Sequence, residues 1–338
     1  MQDDLVISFL NDNGIAVDKE VTPPDWGQRR LRVFQNSTRQ YVFKTPPVNS
    51  LLLHLPTNLC NELFDLLYQH TNSLNLPLTV KGNYIFNYDG KQSMLFPWVG
   101  PLDGNTPRWD MNIHDQLSFL AQLNNELGNL PNSFIQILTA NCFKISFSEE
   151  SFKAKLDVCK PIIGNILYCK CLSLLSLKNN QWDSDCYYKL VHTDFNASNI
   201  VSSLDGSLVA LDIDYIRLGN DYVDFIYIVT SGGFEEPVME DLIRFYQHSL
   251  DILTRPLSCN MAILGCDLVL AWMSTIIMRS NRITGTQWEY RENPVDAEVL
   301  QKVCREVAEI DNHLYKAMTS QMSNFCKGLN NFLNYILK

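Results

Sequence analysis

The sequence predicts an α+β protein with a small β-rich amino-terminal lobe, residues 1–98, and a larger, mainly helical carboxyl-terminal lobe, residues 99–338. Three observations support this prediction. Short runs of β-forming residues separated by turn residues fill the amino-terminal part. Apolar residues at helical spacing fill most of the remainder. A polar motif followed by a hairpin pattern, residues 192–214, interrupts the helical part.

The first predicted hairpin lies at residues 31–44. Two runs rich in β-forming residues, Leu31–Gln35 and Gln40–Lys44, flank a short polar turn. Two prolines follow Lys44 closely and end the strand, because proline has no amide hydrogen to donate to the strand ladder. The pattern therefore presents Lys44 at the end of a strand.

A helix is predicted at residues 57–67, where a polar start precedes apolar residues at helical spacing. Glu62 in this helix is a candidate ion-pair partner of Lys44. The alternative is that both are solvated surface charges, which is the commonest position of Lys and Glu. Beyond the helix, residues 76–80 are predicted to enter the next strand.

A second hairpin is predicted at residues 83–98, around a turn made by Asp89 and Gly90. A sharp linker, Val99-Gly100-Pro101, leads from it into the helical part. The apolar run at Phe96–Val99 has two interpretations: it lines a binding pocket, or it belongs to ordinary core packing.

The hairpin pattern after residue 192 brings polar residues together. The stretch 192–199 reads His-Thr-Asp-Phe-Asn-Ala-Ser-Asn, and two β-rich runs then flank Asp205-Gly206, a turn that tolerates positive φ. Folding this hairpin places Asn199 beside Asp212, with Asp194 on the loop before the first strand. Single Asp and Asn residues are common at turns, so the joint spacing is the informative feature.

Asp194, Asn199 and Asp212 form the set that phosphoryl transfer from a nucleotide requires. This reaction needs one carboxylate near the acceptor hydroxyl, together with an amide oxygen and a second carboxylate that hold magnesium. Magnesium prefers oxygen ligands and keeps several waters, so two protein oxygens and the nucleotide phosphates suffice. We expect a magnesium site at this hairpin.

These residues resemble the aminoglycoside phosphotransferase and choline kinase superfamily, the small-molecule branch of the protein-kinase-like fold. Residues 192–199 complete its pattern His-x-Asp-x-x-x-x-Asn, and Asp212-Ile213-Asp214 is similar to its later Asp-x-Asp/Glu. A looser match at residues 217–225 puts Asp224 at the head of a helix. The resemblance implies a two-lobed protein-kinase-like fold, with nucleotide phosphates bound by the amino-terminal lobe and the acceptor by the carboxyl-terminal one.

The resemblance also implies a role for each candidate residue. Asp194 is the implied catalytic base or hydroxyl-orienting group. The implied magnesium ligands are Asn199 and Asp212, while Asp214 helps to hold a second ion or the acceptor. Lys44 contacts the nucleotide phosphates and pairs with Glu62. The purine of ATP or GTP is implied to bind at the linker between the lobes, lined by Phe96, Trp98 and Val99.

One departure from the family concerns the phosphate-binding loop. Residues 23–30 contain a single glycine, whereas close approach of backbone amides to phosphates favours several. Arg29 and Arg30 are either a substitute source of positive charge or ordinary solvent contacts. The poor loop weakens the expected nucleotide affinity.

Three alternatives stay open. A protein kinase needs an activation segment, but Asp212 runs almost directly into the segment that carries Asp224. A nucleotide-binding protein without catalysis is suggested by the poor phosphate loop and opposed by the intact Asp194 and Asp212. The third alternative is transfer of the nucleotidyl group onto a protein.

Further helices are predicted at about 112–123, 149–178, 237–254, 261–281 and 295–336. Their acidic and aromatic residues include candidate acceptor contacts, although Trp and Tyr in helices are more often core residues. These candidates are Glu235, Glu236, Trp272, Trp288, Glu289 and Tyr290. The acceptor itself stays open among amino alcohols, aminoglycosides, sugars, nucleosides and amino acids.

Composition narrows the class of protein. The chain has 338 residues, of which 46% are hydrophobic and 19% charged, so a folded protein with a substantial core is expected. Its net charge of -10 disfavours nucleic acid as a partner and mildly favours a cationic acceptor. An acidic start and the lack of long apolar runs predict a cytoplasmic protein without membrane contact. The 10 cysteines form no CxxC pair and are expected to be reduced; no oligomeric state is indicated.

Overall fold

A computed structural model of the chain divides into two compact units. The first unit combines Met1–Lys144 with Lys189–Leu218, and the second combines Ile145–Tyr188 with Gly219–Lys338. These compact units do not test the predicted lobes, which divide the chain at residue 98. That boundary stays a prediction. The structure describes residues 2–22, 31–47, 50–99, 112–141, 143, 149–178, 189–196, 199–203, 205–219, 223–232, 235–249, 324, 326–335 and 337.

A five-stranded antiparallel sheet of order β1-β2-β3-β5-β4 forms the centre of the first unit. Strands β2 and β3 pair from Leu31 opposite Lys44 to Gln35 opposite Gln40, which confirms the first predicted hairpin. The second predicted hairpin forms β4 and β5, with a shorter first strand than expected. The strands are β1 (Lys19–Glu20), β2 (Leu31–Gln35), β3 (Gln40–Lys44), β4 (Phe86–Tyr88) and β5 (Lys91–Pro97).

Residues 76–80, which were expected to lead into the next strand, precede β4 and form no strand of their own. This segment makes isolated bridges, in which the Leu78 amide donates to the Leu95 carbonyl at 2.6 Å and Val80 pairs with Asn83. Pro77 has no amide hydrogen, so a continuous ladder cannot form through it.

An amino-terminal helix, α1 (Gln2–Asp12), packs against the sheet and was not predicted from the sequence. Val6 and Leu10 of α1 are fully buried in one cluster with Phe34 and Phe43 of the sheet. Burial of such side chains contributes about 1.5–3 kcal/mol each, so this cluster stabilises the sheet.

Three further helices belong to the first unit: α2 (Thr57–His70), α3 (Ile113–Leu127) and α4 (Asn132–Ala140). A short 3₁₀ helix, Leu51–His54, precedes α2. The helices predicted at 57–67 and 112–123 are confirmed. Asn112 caps α3, because its side chain accepts a hydrogen bond from the Asp115 amide. The buried face of α2 consists of Leu59, Cys60, Leu63, Phe64 and Leu67.

The polar motif folds as two small sheets. Strands β7 and β8 form the predicted hairpin, with Ile200 opposite Ala210 and the turn residue Gly206 at φ 85°. Strands β6 and β9 pair with each other. A 3₁₀ helix, Ile213–Tyr215, follows β8. These strands are β6 (Lys189–Val191), β7 (Ile200–Ser202), β8 (Leu208–Ala210) and β9 (Arg217–Gly219).

The described part of the second unit is helical. It contains α5 (Glu149–Lys178), which is kinked at Gly164 with φ 77°, as well as α6 (Val223–Gly232) and α7 (Glu236–Ser249). The buried Asp224 lies in the first turn of α6, as predicted. Residues 326–335 are helical, and Lys170 of α5 donates to Asn330 at 2.7 Å and to Asn334.

Several predicted elements lie outside the described residues. They are the phosphate loop at 23–30, the helix at 261–281 and most of the helix at 295–336. Among the described helices, none combines the length and apolar character needed to cross a membrane. Among the described cysteines, Cys60, Cys169 and Cys326 are free thiols, and Cys171 is buried.

Candidate active site

The centre of the site is a cluster of three charged side chains. The Lys44 ammonium forms ion pairs with Asp212 and, at 2.9 Å, with Oδ2 of Asp214. Lys44 is 12% exposed and Asp214 only 4%, whereas Asp212 is 37% exposed. Two carboxylates and one ammonium therefore meet in a mostly buried place that is open on the side of Asp212.

The sheet fixes the position of Lys44. It ends β3 and lies opposite Leu31 of β2 and Met94 of β5. Met94 is fully buried, so the strand end is anchored on its inner side. The register of two neighbouring strands therefore determines where the lysine stem begins.

The two aspartates change the acid–base behaviour of the cluster. Burial alone would lower the pKa of Lys44, but the negative charges of Asp214 and Asp212 outweigh it and raise that pKa above its ordinary value. Burial raises the pKa of Asp214 to about 6, since the neighbouring Asp212 carboxylate adds to the effect of burial and Lys44 only partly opposes it. The cluster thus carries excess negative charge that a second cation could neutralise.

The loop after β6 holds Asp194 by amide side chains. Asn199 Nδ2 donates to Asp194 Oδ2 at 3.1 Å and to its carbonyl oxygen at 2.9 Å. Asn196 Nδ2 donates to Asp194 Oδ1 at 3.2 Å. The Asn199 carbonyl accepts from the Leu211 amide at 2.7 Å, directly before Asp212. Asn199 therefore connects the loop of Asp194 with the segment of Asp212, as the hairpin pattern predicted.

Side chains hold the backbone of the segment that carries both aspartates, residues 211–215. His192 Nε2 bonds to the Leu211 carbonyl at 2.7 Å. Ser50 Oγ donates to the Asp214 carbonyl and Thr193 Oγ1 to the Tyr215 carbonyl, both at 2.6 Å. His192 is fully buried, in agreement with a structural role in the loop. The orientation of the aspartates thus depends on individual hydrogen bonds.

Two residues in the site have left-handed backbone conformations. Thr193 and Asp212 both lie at φ 65°. Asp adopts this region more readily than most residues, whereas β-branched residues such as Thr rarely do. The hydrogen bond from Thr193 to the Tyr215 carbonyl offsets part of this cost and fixes the turn before Asp194.

A further carboxylate supports the strand that leads to Asp212. Glu126 of α3 accepts hydrogen bonds from the Ser73 amide at 3.1 Å and the Ser73 hydroxyl at 2.8 Å, and from the Thr71 hydroxyl. Burial would raise the pKa of Glu126, but these donors outweigh burial and lower it. The Ser73 carbonyl in turn accepts from the Ala210 amide of β8 at 2.7 Å.

Comparison of the sequence with protein-family models gives no match, and no curated protein matches it either. The fold, however, is similar to solved structures. A microcompartment-associated aminopropanol kinase aligns over 98% of this chain and 98% of its own, with TM-score 0.58 and 14% identity. A spectinomycin phosphotransferase in complex with ADP and spectinomycin aligns over 95% and 99%, with TM-score 0.54 and 14% identity.

The choline kinase LicA from Streptococcus pneumoniae aligns over 90% of this chain and 98% of its own, with TM-score 0.52 and 12% identity. These alignments extend over nearly the whole of both chains. The chain has the protein-kinase-like fold of small-molecule phosphotransferases. The predicted fold class is therefore confirmed.

Within this phosphotransferase fold, the predicted ion pair between Lys44 and Glu62 was wrong. Glu62 is exposed on α2, and the ion pairs that the structure records for Lys44 are with Asp212 and Asp214. The physical reason is the helical repeat. The buried face of α2 centres on Leu63 and Leu67, and a residue one position before Leu63 points about 100° away from it.

Of the residues predicted to contact the purine, Phe96 lies in the same sheet as Lys44, and Trp98 and Val99 follow β5 directly. Phe96 is buried in β5 opposite Val42, and the Trp98 amide donates to the Gln40 carbonyl at 3.0 Å. Trp98 and Val99 are half-buried. Their binding of a purine stays a prediction.

Sequence reasoning missed Ser50, the Thr193 hydroxyl and Glu126. The only early signal was that Thr193 lies inside the motif. Candidate acceptor residues Trp272, Trp288, Glu289 and Tyr290, with Arg29 and Arg30 of the phosphate loop, lie outside the described residues. Glu235 is exposed and paired with Lys327 within the second unit.

Proposed function

We propose that this protein is a magnesium-dependent kinase that moves the γ-phosphoryl group of ATP or GTP to a hydroxyl of a small molecule. The observation that carries the proposal is the meeting of Lys44 with Asp212 and Asp214 beside a loop in which Asn199 holds Asp194. A phosphate-binding cation, metal-binding oxygens and a carboxylate for the acceptor are the parts that this reaction needs.

Each residue has a distinct task in this proposal. Asp194 orients the acceptor hydroxyl and takes its proton as the new bond between oxygen and phosphorus forms. The bond between the γ-phosphorus and the bridging oxygen breaks, and the nucleoside diphosphate leaves. Lys44 holds the phosphates, so that positioning and charge stabilisation supply most of the rate.

The oxygens of the site fit magnesium, which would supply positive charge to the phosphates when bound. Asp214 Oδ1 is buried and has no hydrogen-bond partner. Asn199 uses its Nδ2 to hold Asp194, which directs its amide oxygen elsewhere. Asn199, Asp212 and Asp214 are therefore the residues that would hold the ion. The described part of the chain holds no group of three or more His, Cys, Asp or Glu that could hold a metal ion by itself, so nucleotide phosphates would complete the set.

The nucleotide would lie along β3. Gln40, which bonds to Trp98, and Lys44 mark the two ends of this strand. Four residues of a strand cover about 13 Å, a span over which the base could bind near Phe96–Val99 while the phosphates reach Lys44.

A cationic amino alcohol or aminoglycoside is the proposed acceptor class, with amino acid derivatives as a further possibility. The net charge of -10 favours a positively charged substrate. The proteins of similar fold are named for aminopropanol, spectinomycin and choline. An amine at neutral pH carries the charge that such a protein attracts.

Calorimetric titration with ATP and GTP, each with and without magnesium, tests the nucleotide site. The wild type and Asp212→Asn should both fold, because Asn tolerates the left-handed conformation of residue 212. We expect tighter binding with magnesium in the wild type and loss of this difference in the variant. Binding that is indifferent to both magnesium and Asp212 would contradict the metal site.

An acceptor screen then tests the reaction. The protein is incubated with the preferred nucleotide and with amino alcohols, aminoglycosides or neutral sugars, and the masses of the products are measured by mass spectrometry. Addition of a phosphoryl group to a cationic acceptor supports the proposal. Addition of a nucleotidyl group, or nucleotide binding without any turnover, would support one of the alternatives instead.

A further inference from the structure

Lys44 needs an anionic partner to hold its ammonium in one place. Its side chain is a flexible four-carbon stem, and a mostly buried ammonium is costly without a counter-charge. Among the described residues, Asp212 and Asp214 are the carboxylates in ion-pair contact with it. Since Glu62 points away, one of these two aspartates must supply the anchor.

Asp214 is better suited to this task than Asp212. Its side chain is 4% exposed, compared with 37% for Asp212, so water competes less for the ion pair. Its Oδ2 lies 2.9 Å from the Lys44 ammonium. Its carbonyl is held by the fully buried Ser50, which follows Lys44 by a short stretch of chain. Lys44 and Ser50 thus bind the side chain and the backbone of the same aspartate.

Asp212 has a different role. It is the more exposed carboxylate and, in the proposed function, the principal ligand of magnesium. When it binds an ion, its share of the interaction with Lys44 weakens, while Oδ2 of Asp214 stays directed at the ammonium. Oδ1 of Asp214 has no hydrogen-bond partner and is available to the same or a second ion.

We propose that Asp214 is the positioning carboxylate of Lys44 and takes the place that the family resemblance implied for Glu62. The proposal rests on the proposed function and deepens it. It assigns Oδ2 of Asp214 to the Lys44 ammonium and leaves Oδ1 for the magnesium ion. Asp214 then contributes to phosphate binding even without magnesium, whereas a carboxylate that only binds metal does not.

Nucleotide binding without magnesium separates these two roles. ATP is titrated in the presence of EDTA into the wild type, Asp214→Asn, Asp212→Asn and Glu62→Gln. Both aspartate variants lose the same charge, so their difference reports position and not net charge. We expect Asp214→Asn to bind metal-free ATP about tenfold more weakly than Asp212→Asn, and Glu62→Gln to match the wild type. Equal affinity in the two aspartate variants would overturn the proposal.

A second experiment does not depend on any nucleotide. Lys44→Met is combined with Asp214→Asn and, as a matched control, with Glu62→Gln, and urea unfolding is measured for each protein. We expect the effect of Lys44→Met on the unfolding equilibrium constant to be about tenfold smaller in the Asp214→Asn background than in the wild type or in Glu62→Gln. An undiminished effect in Asp214→Asn contradicts the anchor. Failure of the wild type to bind ATP would remove the proposed function and leave this result valid.

If Asp214→Asn does not fold, Ser50→Ala replaces it in the titration with metal-free ATP. It keeps all three charges and releases only the Asp214 carbonyl. We expect a several-fold weaker affinity for metal-free ATP, and Ser249→Ala, whose hydroxyl bonds to its own helix in the second unit, to leave that affinity unchanged. Unaltered affinity in Ser50→Ala would also count against the proposal.

Discussion

Lys44 and the two aspartates that face it are held by different means. Lys44 ends a strand with a neighbour on each side in a five-stranded sheet, and the sheet packs on an aromatic and aliphatic cluster. Asp212 and Asp214 lie at a short 3₁₀ helix whose flanking backbone is bound by His192, Ser50 and Thr193. The position of Lys44 thus depends on cooperative packing of the sheet, whereas the positions of Asp212 and Asp214 depend on single hydrogen bonds.

This difference separates stability from function. A substitution under the sheet should lower the stability of the whole first unit, because many residues share its core. A substitution around the aspartates should have a smaller effect on stability and a larger one on nucleotide binding or transfer.

The largest effect is expected for Asp194→Asn, on the hydrogen-bonded side. Asn keeps the size of the side chain but cannot take the acceptor proton, so the transfer rate should fall about 10²–10⁴-fold. The nucleotide affinity should stay close to that of the wild type. Steady-state kinetics with the best acceptor from the screen and calorimetry with ATP measure the two quantities. Substantial turnover in this variant would remove the role of Asp194.

Phe43→Ala is the matching test on the sheet side. Phe43 is 5% exposed and contacts Phe34, Phe86 and Tyr88 by their rings, so its truncation should lower the free energy of unfolding by about 3–5 kcal/mol. Urea unfolding checks this value. Leu5→Ala is the control, since Leu5 in the same unit is 63% exposed and should change stability by about 0.5 kcal/mol or less. Equal losses in the two variants would contradict the assigned core.

Thr193→Val examines a single hydrogen bond. The variant keeps the β-branched shape at φ 65° and removes the hydroxyl that bonds to the Tyr215 carbonyl. We expect a loss of about 1 kcal/mol in stability and a several-fold weaker affinity for magnesium ATP. In Thr139→Val the lost hydroxyl bonds to the Ile135 carbonyl within α4, so ATP affinity should not change. Parallel behaviour of the two variants in ATP binding would mean that Thr193 does not position the site.

The smallest effect concerns pH and Glu126. The pKa of this carboxyl is lowered in the folded protein, so its contribution to stability is complete above the ordinary pKa of 4.5 and disappears as pH falls through the folded value. Glu126→Gln should therefore be less stable at pH 7 and lose less stability between pH 5 and acid conditions. Unfolding midpoints across this range measure the change. A profile for Glu126→Gln identical to that of the wild type would exclude the assigned bonds.

The sequence was informative where structure depends on neighbours in the chain. Alternation and turn residues predicted the hairpins that end at Lys44 and surround Asp205, and the motif predicted that Asn199 and Asp212 approach each other. The hairpins have local causes, since strand alternation and turn conformation are decided within a few residues. The kinase-like fold class, by contrast, followed from the family resemblance that the motif carries.

Contacts between distant parts of the chain were not predictable in the same way. The bond from Ser50 to the Asp214 carbonyl spans 164 positions, and no local pattern marks either residue. The error at Glu62 had another origin. The apolar positions of α2 already placed Glu62 off the buried face, so the helical repeat contained the correction and the expectation from the resemblance overrode it.

The left-handed conformation of Asp212 has an evolutionary consequence. Asn and Gly occupy this backbone region at little or no cost, and either would relieve the repulsion with Asp214. In the proposed function, a single substitution at position 212 abolishes magnesium binding without disturbing the fold. Under that proposal, a protein of this fold that binds nucleotides without transferring phosphate is one mutation away from an active kinase.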